Sequence, residues 1–289
     1  MIVLLLAVLG LCFGSFVNAL VWRTHERAKL LEKRDDQASP SKSKQAAREE
    51  KELHDLSIWR GRSMCPHCRH VLAPKDLVPV LSWLSLRGRC RYCHKKIEDT
   101  PFAELLMPLV FVASYLWWPA TLHGVAVFQF VTWLIFIIGF VALTVYDLKW
   151  LLLPNIFVYP LMALAASRVV VLATDFHLGW TEVIGAVTGV LIVGGLFYVL
   201  YVASGGSWIG GGDVKLGVVL GLLAGGPMHS VLLLFTASLA GVVFAVPQLV
   251  SGHAMRKTQI PFGPFLILAA LVVQLFGSSL VDWYERLLA

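Results

Sequence analysis

Long apolar runs separated by short polar joints make up most of the chain. Residues 1–21 carry no charged side chain, and the run ends at Trp22-Arg23. Further runs cover about 102–122, 125–146, 154–173, 181–203, 230–250 and 263–283. Each is long enough to cross roughly 30 Å of hydrocarbon. A shorter run, residues 214–223, follows a glycine cluster and is expected to span together with the residues just beyond it. The pattern predicts an all-α polytopic membrane protein of about eight transmembrane helices. Residues 1–21 lack the basic start and small-residue cleavage site of a secretory signal, and bulky Leu11 before Cys12 does not suit lipoprotein processing. The first run is therefore expected to be a retained helix with its N-terminus outside.

Composition agrees: 57% of the 289 residues are apolar and 15% charged, with a mean hydropathy of +0.73. Soluble domains sit nearer 45–50% apolar and about 25% charged, so a disordered chain, a collagen-like fibre or a disulfide-rich miniprotein is excluded, and an ordinary cytosolic enzyme is a poor fit. Charge is concentrated. Residues 23–99 hold 18 of the 24 Lys and Arg and 11 of the 18 Asp and Glu. Three segments follow: a first transmembrane helix at 1–22, a polar insert at 23–100, and a transmembrane helical core at 101–289. The insert, Lys149, Lys215 and Arg256-Lys257 fall on one side of an eight-helix topology, and the opposite loops, 118–124, 174–182 and 225–230, contain no Lys or Arg. By the positive-inside rule the insert is cytoplasmic and both termini are on the outer side.

Within the insert, residues 24–57 are rich in Lys, Arg, Glu, Gln and Ala, broken at Ser39-Pro40-Ser41. This reads as a solvated helix or linker; contact with anionic lipid headgroups is the functional alternative. The next part, about 60–100, holds Cys65-Pro66-His67-Cys68 and, after twenty-one residues, Cys90-Arg91-Tyr92-Cys93. Two such pairs can each chelate from one tight turn, and four thiolates suit tetrahedral zinc. Disulfides are disfavoured on the cytoplasmic side. Zinc bound by Cys65, Cys68, Cys90 and Cys93 would supply much of the folding energy of so small a module. His67, His70 and His94 are expected to be bystanders, and Cys12 a packing residue.

Ionisable residues at the edges of apolar runs are costly and point to function. Asp147 ends the third run, and Asp213 follows Gly210-Gly211-Gly212; the topology puts both at the cytoplasmic edge, with Glu104. Two carboxylates in a partly dry site share a proton. One can then activate water while the other protonates the carbonyl under attack. The plainer alternative is that each Asp caps a helix or pairs with Lys149 or Lys215. The glycine run lacks the pattern of a phosphate-binding loop. His123, His177 and His229 fall on the outer side, away from both aspartates.

At these residues the chain resembles the bacterial prepilin peptidases, type IV leader peptidases of the GxGD membrane aspartic protease family. The resemblance is carried by Gly14-Ser15-Phe16-Val17-Asn18 with Trp22-Arg23, the two cysteine pairs, and the stretch from Pro79 to Cys90. Glu104-Leu105-Leu106, Asp147 followed by Leu152-Leu153-Pro154, Gly210-Gly211-Gly212-Asp213-Val214-Lys215 and Ile260-Pro261-Phe262-Gly263-Pro264 complete it. It implies an inner-membrane enzyme that cleaves the leader from type IV prepilins and type II secretion pseudopilins after a glycine, at the cytoplasmic face. It further implies N-methylation of the new N-terminal residue using S-adenosylmethionine, and assigns the catalytic pair to Asp147 and Asp213. Glu104 is a candidate for reading the basic leader. Three features depart from the family pattern: the long link at 24–63, Asn155 where Asp is common, and Met64 where His is common.

Rival readings fit less of the chain. Presenilin-like proteases lack the cysteine pairs and carry a Pro-Ala-Leu motif absent here. An archaeal preflagellin peptidase shares the aspartates but normally lacks the zinc module. A transporter would show internal repeats and midplane charges. A basic zinc module could suit nucleic acid but leaves the aspartates unexplained, so no nucleic-acid partner is expected.

Overall fold

The computed structural model describes residues 1–36, 43–58, 61–97, 101–174, 179–250 and 260–288. The break at 39–41, the basic pair at 256–257 and His177 lie outside them. Among the described residues the secondary structure is helical, with two isolated β-bridges, Met64 to Val71 and Arg89 to Lys96. The chain divides into two compact units, residues 1–112 and 113–289.

In the first unit, α1 (Ile2–Asp36) runs 35 residues, about 52 Å at 1.5 Å per residue. It outlasts the apolar run because residues 24–36 contain Ala, Leu, Lys, Arg and Glu, with no Gly or Pro to stop it. α2 (Ser43–Asp55) is the charged helix expected from composition. Arg23, 4% exposed, ties the two together. Its guanidinium donates to the carbonyls of Ser57 at 3.3 Å and Gly61 at 2.6 Å, beyond the end of α2. The short α3 (Leu81–Ser85) follows the first cysteine pair. α4 (Phe102–Leu116) begins in this unit and meets α1 at two glycines. A Cβ on Gly10 would strike the backbone of Pro108, and one on Gly14 would lie 2.6 Å from Ala103 O and Glu104 Cα. The Gly14–Asn18 motif thus contains a point of close helix approach.

The second unit contains α5 (Val125–Trp150), α6 (Asn155–Thr174), α7 (Trp180–Ala203), α8 (Gly211–Ala224), α9 (Pro227–Val250) and α10 (Gly263–Leu288). Six helices among the described residues, α1, α5, α6, α7, α9 and α10, are long and apolar enough to cross a membrane. α4 and α8 have 15 and 14 residues, so the expected count of eight spans is approximate. α8 is the hub, packing against α6, α7, α9 and α10. Its closest neighbour is α7, reached through glycines on both helices. A Cβ on Gly221 would lie 2.6 Å from the carbonyl of Gly189, and one on Gly185 would strike the carbonyl oxygen of Gly225. Small residues at four-residue spacing let backbones touch in this way.

Candidate active site and metal centre

Each cysteine pair folds into the same knuckle. The Cys65 N–H donates to His70 O and the Arg69 N–H to Cys65 O; the Cys90 N–H donates to Lys95 O and the His94 N–H to Cys90 O. The residue after each second cysteine is left-handed, with φ of 57° at Arg69 and 58° at His94. These turns bring the four Sγ atoms within 4.8 Å of one another, and Cys65 Sγ lies 3.9 Å from Cys93 Sγ. A tetrahedron with metal–sulfur bonds of about 2.3 Å has edges of about 3.8 Å, so the set could hold a metal ion. Four thiols this close cannot all ionise alike. Burial pushes the Cys65 thiol up to about 12. At Cys90 burial also acts upward, but the N–H groups of Cys93 and Tyr92 and the neighbouring thiols bring it down to about 7.

Between the knuckles Asp76 acts as a brace. Its carboxylate accepts hydrogen bonds from Arg91 Nε at 2.6 Å, Tyr92 Oη at 3.0 Å and the Ala73 N–H at 3.3 Å. Burial works against the charged form, but the bonds from Arg91 and Tyr92 outweigh it and hold Asp76 below the usual carboxylate range. The His70 ring lies 3.7 Å from that of Tyr92, so this histidine packs across the module.

Glu104 is engaged within its own unit. Its Oε2 accepts the Val80 N–H at 2.6 Å. Val80 has φ 60° and ψ −49°, a costly backbone state for a β-branched residue. The carboxylate therefore anchors the strained turn that opens α3, a role that the sequence did not suggest.

In the second unit the two sequence-predicted aspartates come together. Asp147 lies near the C-terminal end of α5 and is 5% exposed; Asp213 lies in the first turn of α8. Both line one cavity of about 540 Å³, with Leu151, Trp208, Ile209 and Phe262 among its apolar walls. They are close enough for their charges to interact. Lys215 turns elsewhere: its Nζ donates to Asn155 Oδ1 at 2.7 Å and lies 5.4 Å from the centre of the Tyr159 ring. Asn155, the departure at the start of α6, thereby tethers the first turn of α8.

A third component comes from the backbone. The Gly263 N–H, at the start of α10, donates to Asp147 Oδ2 at 3.1 Å. A Cβ at Gly263 would stand 2.7 Å from that oxygen. The Ile260–Pro264 motif pointed to this place without a role.

Paired aspartates around a cavity in a helical membrane scaffold, in a chain that also carries a cysteine module able to hold a metal, fit a class of membrane hydrolase. The comparisons narrow the class. Residues 8–118 match the bacterial peptidase A24 N-terminal domain, and residues 134–246 match the type IV leader peptidase family. The chain is 32% identical over 276 residues to the prepilin leader peptidase/N-methyltransferase of Aeromonas hydrophila, covering 95% of this chain and 91% of that protein. It is 30% identical over 237 residues to the protein of the same name from Bacillus subtilis, covering 81% and 89%. With that from Pseudomonas aeruginosa it shares 29% over 286 residues, covering 98% and 93%. No solved structure gives a significant match. The chain belongs to the type IV leader peptidase family and is a multi-pass membrane protein.

Proposed function

We propose that this protein is a membrane aspartic endopeptidase that removes leader peptides from type IV prepilins and type II secretion pseudopilins, then N-methylates the exposed residue. The observation that carries the reading is the convergence of Asp147 and Asp213 on one cavity. In this mechanism one carboxylate takes a proton from water as its oxygen attacks the scissile carbonyl carbon. The other carboxyl gives its proton to the carbonyl oxygen, forming a tetrahedral diol. Collapse of the diol breaks the C–N bond as the first carboxyl returns its proton to the leaving amine and the second carboxylate takes back a proton from a diol hydroxyl, leaving the new carboxylic acid and restoring the pair.

The four-thiol donor set fits zinc in a closed structural site. Cys65, Cys68, Cys90 and Cys93 would hold it, and the ion would crosslink the two knuckles. Methyl transfer calls for S-adenosylmethionine, which supplies an electrophilic methyl group when bound. Basic residues of the insert and the positive-inside rule support a cytoplasmic placement of the insert and of the aspartates, in the inner membrane, with both termini outside.

The test is leader cleavage of a prepilin in proteoliposomes by wild type, Asp147→Asn and Asp213→Asn, with methyl transfer to pre-cleaved pilin followed in the same samples. Each variant is expected to lose cleavage while remaining inserted and able to methylate. Normal cleavage by either one would refute the aspartic mechanism.

A further inference from the structure

Asp147 sits where a helix ends, and α5's own dipole disfavours an anion there. The residue is nevertheless buried, at 5% exposure, and among the described residues its carboxylate has one donor, the Gly263 N–H, at 3.1 Å. That amide belongs to the first residue of α10, a 26-residue helix whose positive end faces the carboxylate. Among the described residues Oδ1 accepts no hydrogen bond. The two oxygens are therefore unequal. Oδ2 is committed as an acceptor, and Oδ1 is the one available for chemistry. The approach also depends on the absence of a side chain. The space next to the Gly263 Cα holds the Asp147 carboxylate, 2.7 Å from where a Cβ would be, with Leu153 Cδ2 at 3.3 Å behind it.

We infer that Gly263 is a positioning residue for peptide cleavage: its amide fixes the Asp147 carboxylate through Oδ2, so that the proton taken from the attacking water goes to Oδ1. This rests on the aspartic reading above. Its consequence is specific. Adding one methyl group at residue 263 leaves both aspartates present, yet turns the Asp147 carboxylate out of line with the water. Because the defect lies in the orientation of a reacting group and not in substrate contact, it is expected in kcat and not in KM. Misplacement of about 1 Å at a reacting centre costs on the order of 100-fold in rate.

The experiment compares wild type, Gly263→Ala, Gly241→Ala and Asp147→Asn in proteoliposomes. Gly241 is the matched control, since a Cβ there would meet Phe262 at 3.7 Å and Phe265 at 3.9 Å, ordinary contact distances. Gly263→Ala is expected to lower kcat for leader cleavage about 100-fold, with KM, melting temperature and methylation of pre-cleaved pilin held at wild-type values. Gly241→Ala is expected to match wild type throughout. If Gly263→Ala cleaves at the wild-type rate while Asp147→Asn is dead, the inference is overturned and the dyad stands. If Gly263→Ala loses cleavage, methylation and thermal stability together, its role is general packing, and the inference is again overturned. If Asp147→Asn cleaves normally, the aspartic reading fails and the inference goes with it.

Discussion

The position of Asp213 should depend on a contact two turns further along its helix, where α8 crosses α7. The perturbation is Gly221→Ala. A Cβ on Gly221 would lie 2.6 Å from the carbonyl carbon and oxygen of Gly189 and 2.7 Å from Val190 Cα. These are backbone atoms, so no rotamer change can relieve the clash. Carbon contacts settle at about 3.5–4.0 Å, which requires the two helices to part by about 1 Å. Asp213 is eight residues away, about 12 Å along a stiff helix, so the displacement reaches it with little loss. A shift of about 1 Å at a catalytic group costs on the order of 100-fold in kcat, and overpacking costs roughly 1–3 kcal/mol of stability. The assay is leader cleavage in proteoliposomes under saturating prepilin, with thermal melting of the same preparation. Gly195→Ala, also on α7, is the control, because the nearest atom to its Cβ would be Val190 O at 3.9 Å. Wild-type kcat in Gly221→Ala would show that the close helix crossing does not set the position of Asp213.

Two further predictions concern the cysteine module. Cys90→Ser is expected to abolish a stoichiometric zinc content of one per chain, measured by elemental analysis, and to open residues 62–97 to limited proteolysis; retention of both zinc and protection would refute the four-thiol site. Asp76, whose folded value is depressed by Arg91 and Tyr92, stabilises the module only while ionised. Its contribution is therefore complete above the ordinary carboxylate value of about 3.9 and is lost as pH falls through the lower folded value. The stability difference between wild type and Asp76→Asn should thus be constant from neutral pH to about pH 5 and shrink below about pH 4; a difference that grows on acidification would contradict the brace.

Much of the scaffold was legible because apolar runs long enough for a bilayer leave few alternatives. The ends of the helices were less so. α1 continues to Asp36 because a run of good helix formers replaces the apolar one, and hydropathy alone cannot see a helix that leaves the membrane. α4 stops at Leu116, short of the run's apparent end at 122, because Pro119 disfavours helical geometry in the residue before it. The aspartates stood out as isolated charges beside apolar runs, and the cysteines by their spacing. Gly263 did not, since a backbone N–H donor has no side-chain signature. Glu104 looked like a free acid at a membrane edge, but its partner is the backbone of Val80, equally invisible in sequence. The approach of Gly185 to Gly225 and of Gly189 to Gly221 was not read from the sequence, because glycine is frequent throughout membrane helices and spacing alone does not name the partner helix.

The short length of α8 connects these features to the chemistry. Fourteen residues reach about 21 Å, short of the roughly 30 Å of a hydrocarbon core. A chain that crosses with such a helix must bring irregular backbone to some depth, and lipid excludes unsatisfied amides and carbonyls. That backbone is tolerated only when surrounded by protein or lining a wet cavity. α8 meets the first condition by packing against α6, α7, α9 and α10. The segment leading into it meets the second, with Gly206, Ser207, Trp208, Ile209 and Gly210 all on the wall of the dyad cavity. The same shortening that makes α8 a poor membrane span therefore leaves Asp213 on the wall of that cavity, where the proposed cleavage needs it. Lengthening the helix at its N-terminus would bury that opening; Gly205 (φ 58°) and Gly206 (φ 80°), left-handed ahead of the N-cap Gly210, break right-handed helical geometry where the cavity begins.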